Sequence, residues 1–246
     1  MAGTAPLIVD AVTKHTATVI VAHGLGDSGV GWVWLAESWR RHNKFPEVKF
    51  VFPNAPVIPI TLNMGFRMPG WYDIVRQRDH SNTSLDELKK GEDEAGISRS
   101  QAYFHNLIDS EAKSIGSERV VFGGFSQGGA MSLYSGLTYG KKLGGIFGLS
   151  CYMLLQDKLK DKIAAAGGVN NSTPIFLGHG DADTLVRYEW GQKTADKLKE
   201  WGHPVEFHTY KDLAHGADPE EVDDLEKFLN KVIPPLGNET KASSSS

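Results

Sequence analysis

Short apolar runs, rich in β-branched and aromatic residues, recur at intervals along the chain. Six of them have the length and composition of buried strands, at residues 17–22, 48–52, 119–123, 145–149, 174–178 and 205–210. Between them, apolar residues repeat with helical spacing, as at Ile97, Phe104, Ile108 and Ile115 and again at Val222, Leu225, Leu229 and Val232. This alternation predicts an α/β fold with a mostly parallel sheet and helices on both of its faces.

Residues 120–140 contain no charged side chain, and a segment of this length could cross a bilayer. The segment nevertheless carries serines, a threonine, a glutamine and two tyrosines, which is a high polar content for a membrane span. We therefore interpret it as a buried strand followed by a buried helix.

The chain shows no fixed-period repeat and no internal linker, and 246 residues is an ordinary length for one α/β domain. Its composition changes only at the serine-rich end. We expect a single domain over residues 1–236 and a flexible tail over residues 237–246.

The charge balance disfavours a nucleic-acid partner. The chain has 26 Lys and Arg residues against 30 Asp and Glu residues, so it has no excess of cations to neutralise phosphates. Its single cysteine, Cys151, cannot form an intramolecular disulfide or a cysteine-based metal cluster, and we expect a buried thiol. The first residues also lack the pattern of a secretory signal, and together these features favour a cytoplasmic protein.

The segment GFSQGG, residues 124–129, lies between a predicted strand and an apolar stretch of helical character. It matches G-x-S-x-G, a turn that exposes a nucleophilic serine at the end of a strand, while its glycines let neighbouring backbone approach. Ser126 is therefore the candidate nucleophile. The N–H of Gln127 would lie at the start of the following helix, where the helix dipole favours a developing oxyanion.

A serine hydroxyl needs a base, and the base needs a carboxylate that orients it. Both follow downstream in the order Ser, Asp, His. His215 comes after the last predicted strand and is the candidate base. Asp181 and Asp183 both follow the strand at 174–178, and spacing alone does not choose between them. We prefer Asp183, partly because apolar neighbours such as Leu185 would pack beneath the loop and partly on the resemblance described below.

A second oxyanion donor is expected from the loop after an early strand. The loop HGLGD, residues 23–27, follows the strand at 17–22, and the N–H of Leu25 is the candidate donor. The glycines of this region also match G-x-G-x-x-G. A dinucleotide site is disfavoured, because the loop carries the acidic Asp27 and no ribose-binding acid is evident.

Histidines other than His215 have no comparable context. His23 and His179 are each followed by glycine at the end of a predicted strand, and we expect them to hold loops through hydrogen bonds to backbone. His208 lies inside the strand at 205–210 and has no catalytic motif around it.

The stretch over residues 54–74 is unusually apolar for a connecting loop. A loop of this kind forms either a satellite core beneath a long connection or the wall of an apolar groove beside the nucleophile. We favour the groove. With contributions from other strand ends, the residues assigned to substrate binding are Met64, Trp71, Ile74, Tyr152 and Leu185.

Six motifs occur in order between about residue 18 and residue 235: HGLGDSGVGW, PITLNMGFRMPGWYDI, GGFSQGGAMSLY, LSCY, HGDADTLV and LAHG. Together they resemble the acyl-protein thioesterase and lysophospholipase-like carboxylesterase family. The resemblance implies a single-domain α/β-hydrolase fold and a cytosolic serine hydrolase that removes long acyl groups from protein cysteines. It further implies a triad of Ser126, Asp183 and His215, with Leu25 and Gln127 as oxyanion donors.

Two positions depart from the family pattern. Tyr152 stands where a tryptophan is common after Ser-Cys, and Arg187 stands where a proline is common, so the acyl site could differ in shape. S-acylated proteins or lysophospholipids are the expected substrates, with peripheral contact to membranes and no metal or organic cofactor. The alternatives are a general carboxylesterase or lysophospholipase and, from another class, a ligand receptor with the same fold.

Overall fold

Seven strands form one sheet in the computed structural model, which describes residues 4–75 and 91–237. The described residues contain nine strands, seven of this sheet and two of a separate hairpin. In chain order they are β1 (Leu7–Val9), β2 (Ala17–Ala22), β3 (Val48–Phe52), β4 (Val57–Ile60), β5 (Phe66–Pro69), β6 (Val120–Phe125), β7 (Gly145–Leu149), β8 (Ile175–Gly180) and β9 (Val205–Tyr210). Their order across the sheet is β1-β3-β2-β6-β7-β8-β9, and all neighbours are parallel except β1 and β3. Strands β4 and β5 form a separate antiparallel hairpin.

Six α-helices connect the strands within the described residues: α1 (Val30–Arg41), α2 (Glu94–Ile115), α3 (Gln127–Leu137), α4 (Gln156–Ala165), α5 (Tyr188–Glu200) and α6 (Pro219–Val232). Two of them begin with an aspartate cap. Asp93 accepts a hydrogen bond from the N–H of Gly96 (2.8 Å), and Asp218 accepts one from the N–H of Glu220 (2.8 Å). Such caps satisfy N–H groups that have no partner within the helix.

Apolar side chains cover both faces of the sheet. Successive residues of a strand point to opposite faces, so Ile20 packs in the core with helices α2 to α5, whereas Val19 and Val21 pack in the core with α1 and α6. The predicted parallel sheet with helices on both faces is therefore confirmed.

The strand predictions agree closely with the structure. Four strands have the predicted bounds, and β6 and β8 begin one residue and end two residues later than predicted. The two helical patterns correspond to α2 and α6, and the uncharged segment forms β6 and α3, a helix in which every residue is buried. The edge strand β1 was not predicted, since three residues are too few for a periodic pattern.

We expect residues 54–74 to form one irregular connecting loop, and this prediction is wrong. They contain the hairpin β4–β5, which turns through a short 3-10 helix at Thr61–Asn63 and the left-handed residues Met64 and Gly65. Pro59 and Pro69 obscured the strand pattern, because proline is rare within sheets and is tolerated at their edges.

No helix in the described parts of the chain is long and apolar enough to span a membrane. The single domain over residues 1–236 stays a prediction. Most of the predicted tail, from residue 238 onward, lies outside the described residues.

Candidate active site

Ser126 lies in the turn between β6 and α3. Its φ of 52° and ψ of −120° are rare for a residue with a side chain, so the surrounding structure must hold it there. Its N–H donates to the carbonyl of Leu149 (2.8 Å), and its carbonyl accepts from the N–H of Ala130 (2.9 Å). The strand–turn–helix context expected for GFSQGG is present.

Two glycines allow this turn to pack against strand β2. A Cβ on Gly128 would lie 2.1 Å from the carbonyl oxygen of Ala22, and a Cβ on Gly124 would lie 2.4 Å from the same atom. Side chains are therefore excluded at both positions. The close approach brings the loop 23–27, which follows β2, next to Ser126.

His215 connects Ser126 to Asp183. Its Nε2 lies 3.0 Å from the Oγ of Ser126, and its Nδ1 lies 2.7 Å from the Oδ2 of Asp183. Because an ionised carboxylate only accepts hydrogen bonds, Nδ1 carries the proton and Nε2 can accept the proton of the serine hydroxyl. The structure brings the three predicted triad residues together.

The Asp183 carboxylate is fixed on both oxygens. Its Oδ1 accepts from the N–H groups of Leu185 and Val186, both at 2.9 Å, while Oδ2 accepts from His215. Burial opposes ionisation, but hydrogen bonding to His179, to His215 and to the Val186 amide outweighs it and holds the pKa of Asp183 well below its usual range. The carboxylate is therefore ionised at neutral pH.

Asp181, the alternative carboxylate, has a different environment. It is exposed, and its Oδ1 accepts from the N–H of Asp212 at 2.7 Å. It therefore ties together two loops at the ends of β8 and β9, and the hydrogen bond of His215 goes to Asp183 instead.

The two candidate oxyanion donors belong to the two segments that meet at Ser126, the start of α3 and the loop after β2. The N–H of Gln127 is the first of α3, where helical N–H groups have no partner within the helix. In the loop after β2, the N–H groups of Gly26 and Asp27 donate to backbone carbonyls, whereas no hydrogen bond to a described residue involves the N–H of Leu25. Both candidate N–H groups are thus available to an oxyanion.

His23 and His179 hold loops, as the sequence predicted. His23 accepts the N–H of Ala55 at Nε2 (3.0 Å), so its Nδ1 is protonated and donates to the carbonyl of Gly24 (2.7 Å). His179 Nε2 lies 2.8 Å from the carbonyl oxygen of Val186. Burial lowers the pKa of His23, which keeps this ring neutral.

A mainly apolar cavity of about 520 Å³ opens at Ser126. Three of the residues assigned to substrate binding line it, namely Ile74, Tyr152 and Leu185. This volume is in the range typical of small-molecule sites, and such sites combine apolar walls with a few polar groups.

Met64 and Trp71, which we also assigned to substrate binding, are absent from the cavity lining. Met64 is 87% exposed at the tip of the β4–β5 hairpin, because that segment folds as a hairpin and projects its turn into solvent. Trp71 is 2% exposed, and its ring centroid lies 4.6 Å from that of Phe104 in the core. The assignment of these two residues to the cavity wall was wrong.

Sequence reasoning missed Trp32, Leu62 and Trp190, which also line the cavity. Trp32 lies in the first turn of α1, after the loop of Leu25, and Trp190 lies in the first turn of α5, after the loop of Asp183. An apolar residue in the first helical turn after a catalytic loop was the signal that could have found both.

Cys151 is buried, as expected, with 3% of its surface exposed, and burial raises the pKa of its thiol well above the usual range. Across the described residues, no group of three or more His, Cys, Asp and Glu side chains is arranged to hold a metal ion.

A mostly parallel sheet with a serine turn after β6, an aspartate loop after β8 and a histidine loop after β9 defines the class of α/β hydrolases. The profile of the phospholipase/carboxylesterase family matches residues 4–233. The chain belongs to this family.

Curated relatives and solved structures agree with this membership. The chain is 56% identical over 233 residues to "Acyl-protein thioesterase 1" of Emericella nidulans, covering 94% of this chain and 96% of the relative. It is 50% identical over 240 residues to the protein of the same name in Neurospora crassa, covering 97% and 96%. The crystal structure of Zea mays acyl-protein thioesterase 2 superposes with a TM-score of 0.80 at 32% identity, covering 93% of this chain and 98% of that one.

Proposed function

We propose that this chain is an acyl-protein thioesterase, a serine hydrolase that cleaves long-chain acyl thioesters on proteins and related esters. One observation carries the proposal. The hydrogen bonds from Ser126 to His215 (3.0 Å) and from His215 to Asp183 (2.7 Å) lie beside a mainly apolar cavity. Two relatives that match nearly the full chain are named acyl-protein thioesterases, and this supports the proposed substrate class.

In the proposed acylation step, Ser126 Oγ attacks the thioester carbonyl while His215 Nε2 takes the hydroxyl proton. The carbonyl oxygen becomes an oxyanion, to which the N–H groups of Leu25 and Gln127 donate. The C–S bond then breaks, and the leaving sulfur receives the proton from His215. Asp183 keeps the proton of the imidazole on Nδ1 throughout.

In the proposed deacylation step, water attacks the acyl-enzyme, and His215 takes a proton from it. The Ser126 oxygen leaves and is reprotonated by the imidazole, and the fatty acid is released. A thiolate leaves far more readily than an amine, so thioesters need less help from a general acid than amides do, and we expect thioesters and esters to be cleaved faster than amides. No step requires a metal or an organic cofactor.

The acyl chain would occupy the cavity against Ile74, Tyr152 and Leu185. Leu185 is 69% exposed, and covering such a side chain with an acyl chain gains roughly 25 cal/mol for each Å² of apolar surface removed from water. A long acyl chain gains more in this way than an acetyl group.

We also propose that this protein is cytoplasmic and contacts membranes peripherally. The β4–β5 hairpin beside the cavity exposes apolar side chains at Leu62 (37%), Met64 (87%) and Phe66 (65%). Because Met64 and Phe66 are absent from the cavity lining, replacing both with serine tests this contact separately from catalysis. We expect weaker co-sedimentation with phosphatidylcholine vesicles and unchanged hydrolysis of a short ester. Unchanged co-sedimentation would contradict the proposed contact.

A comparison of substrates tests the proposed activity. Turnover of a palmitoylated cysteine peptide is measured beside turnover of a lysophospholipid, with Ser126→Ala as the control for contaminating hydrolases. We expect faster turnover of the thioester, measured as kcat/KM, and none above background in the variant. Faster turnover of the lysophospholipid would support the alternative of a general carboxylesterase or lysophospholipase. Binding of either substrate without turnover would support a receptor.

A further inference from the structure

Gln127 contributes two groups that do different things. Its backbone N–H is the proposed oxyanion donor, while its side chain is turned into the protein, with the whole residue 2% exposed. The side-chain Oε1 accepts from the N–H of Trp71 (2.7 Å), and Nε2 donates to the carbonyl of Tyr72 (2.7 Å). The amide therefore clamps two consecutive residues of the segment that follows the β4–β5 hairpin.

Trp71 extends this clamp to the loop of the other candidate donor. Its indole N–H donates to the carbonyl of His23 (2.8 Å), and its ring centroid lies 5.1 Å from that of His23. His23 in turn donates to the carbonyl of Gly24, the residue before Leu25. A continuous set of hydrogen bonds thus runs from the side chain of Gln127 to the residue next to Leu25.

A second hydrogen bond connects the same two segments. The N–H of Gly26, directly after Leu25, donates to the carbonyl of Pro69 (2.8 Å), two residues before Trp71. Leu25 therefore lies between two residues, Gly24 and Gly26, that hydrogen bonds connect to the segment 69–72, through His23 in one case and directly in the other. Van der Waals contact between Gly128 and the end of β2 fixes how near the backbones come, whereas these hydrogen bonds fix the orientation of the peptide planes.

We propose that the side chain of Gln127 is a positioning residue that holds the N–H of Leu25 at the correct orientation to its own N–H. This inference rests on the proposed function, in which both groups bind the oxyanion. Oxyanion donors must lie about 2.7–3.1 Å from the oxygen that develops charge, so a small rotation of the Leu25 peptide weakens transition-state binding. Ground-state binding of the acyl chain, which uses the cavity wall, does not depend on that rotation.

The first test is Gln127→Met, which keeps the backbone N–H and the length of the side chain but removes both hydrogen bonds. Its matched control is Gln101→Met, since the Gln101 amide donates to Thr138 Oγ1 (2.6 Å) away from the cavity. With p-nitrophenyl octanoate, we expect kcat of Gln127→Met to fall by about 10- to 100-fold, because loss of one whole oxyanion donor costs about 10² to 10³. We expect KM to change less than threefold and the control to keep the wild-type kcat.

The second test is Gln127→Glu, which is close to isosteric with glutamine. At neutral pH its carboxylate cannot donate to the carbonyl of Tyr72, but the protonated acid can. The ratio of its kcat to that of the wild type should therefore rise as the pH is lowered from 8 to about 5.5. A negative charge near His215 would raise the pKa of that base and, by that route, lower the ratio at acidic pH. The same charge would also repel the oxyanion at high pH, so the rise supports the inference only if the uncharged Gln127→Met variant has also lost kcat.

Some results overturn the inference, and others concern the proposed function instead. If kcat of Gln127→Met stays within threefold of the wild type, if only its KM changes, or if the Gln127→Glu ratio is flat with pH, the clamp does not position the donor. If the wild type has no esterase activity, or Ser126→Ala keeps it, the proposed function fails regardless of Gln127. Melting temperatures of all variants identify losses that come from unfolding alone.

Discussion

Two parts of one loop after β8 show how the site divides its tasks. Asp183 has a buried carboxylate with both oxygens in hydrogen bonds, whereas Leu185, two residues later, is 69% exposed at the mouth of the cavity. The first environment holds the carboxylate in one orientation. The second leaves an apolar surface open that a substrate can cover.

We call the triad of Ser126, Asp183 and His215 the catalytic floor, and the exposed apolar lining at the cavity mouth, which includes Leu185, the acyl-binding rim. The difference indicates that the floor and the rim respond to mutation differently. Changes on the floor should lower kcat by orders of magnitude, since they remove interactions made in the transition state. Changes at the rim should alter the preference among acyl chains by much smaller factors, since one methylene contributes about 0.8 kcal/mol, which corresponds to about fourfold.

The largest effect is expected from Ser126→Ala. Without the hydroxyl no acyl-enzyme can form, and we expect kcat for an octanoyl thioester to fall by about 10⁵- to 10⁶-fold, as when the nucleophile of a serine protease is removed. Alanine meets the same backbone strain as serine at the φ of 52° of residue 126, so the melting temperature should change little. Substantial turnover by the purified variant would exclude the serine mechanism.

The next effect compares the two aspartates of the loop. Asp183→Asn should lower kcat by about 10⁴-fold, because the amide favours the wrong tautomer of His215. Asp181→Asn is the matched control, and it should lower kcat less than tenfold because Asp181 bonds the N–H of Asp212. Measuring kcat of both variants on one ester decides the assignment, and a larger loss at Asp181 would reverse it.

These aspartates show where sequence reasoning reached its limit. Ser126 and His215 could be identified because each sits directly after a predicted strand, in a motif whose local geometry defines its role. Asp181 and Asp183 share a strand end, and only the backbone N–H groups that fold around one of them distinguish the two. No spacing rule encodes that arrangement.

The residues assigned to substrate binding show the same limit. Met64, Trp71 and Ile74 have similar apolar character, yet one lies at a hairpin tip, one in the core and one in the cavity. The β4–β5 hairpin, which places Met64 in solvent, could not be predicted because Pro59 and Pro69 interrupt the strand pattern. The hydrogen bonds of Gln127 were equally invisible, because their partners Trp71 and Tyr72 lie more than fifty residues away in sequence.

A third prediction concerns a buried acid of α6, Glu221, whose carboxyl has no hydrogen-bond partner among the described residues. Glu221 is fully buried. Its Oε1 faces the backbone of β8 and lies 2.3 Å from the position that a Cβ on Gly178 would occupy. Burial, with the nearby charge of Asp218, raises the pKa of Glu221 from 4.5 to about 8. Unlike Asp183, this carboxyl is neutral in the folded protein at pH 7.

Between pH 4.5 and 8 the unfolded chain releases the Glu221 proton and the folded chain keeps it. The free energy of unfolding therefore falls by about 1.4 kcal/mol for each unit by which the pH rises. Glu221→Gln removes this dependence. We expect its free energy of unfolding to exceed that of the wild type by an amount that grows with pH and levels off above pH 8. Glu220→Gln, an exposed neighbour, is the control. A difference that does not vary with pH in urea titrations would contradict the raised pKa.

The smallest effect is expected at the rim. Leu185→Ala removes apolar surface from the mouth of the cavity, and we expect kcat/KM for an octanoyl ester to fall by up to about tenfold. The value for an acetyl ester should stay unchanged, because an acetyl group does not reach the rim. Val12→Ala, at an exposed valine outside the cavity lining, is the control and should change neither value. Equal losses for both esters would show that Leu185 supports the catalytic floor instead.

The central claim is that Ser126 is the nucleophile activated by His215, and active-site labelling tests it most directly. The wild type, Ser126→Ala and His215→Ala are treated with a fluorophosphonate, and the modified residue is mapped by mass spectrometry. We expect one modified residue in the wild type, Ser126, with no labelling of Ser126→Ala and labelling of His215→Ala slowed by at least about 10³-fold. A label on another serine, or wild-type labelling rates in either variant, would contradict the mechanism.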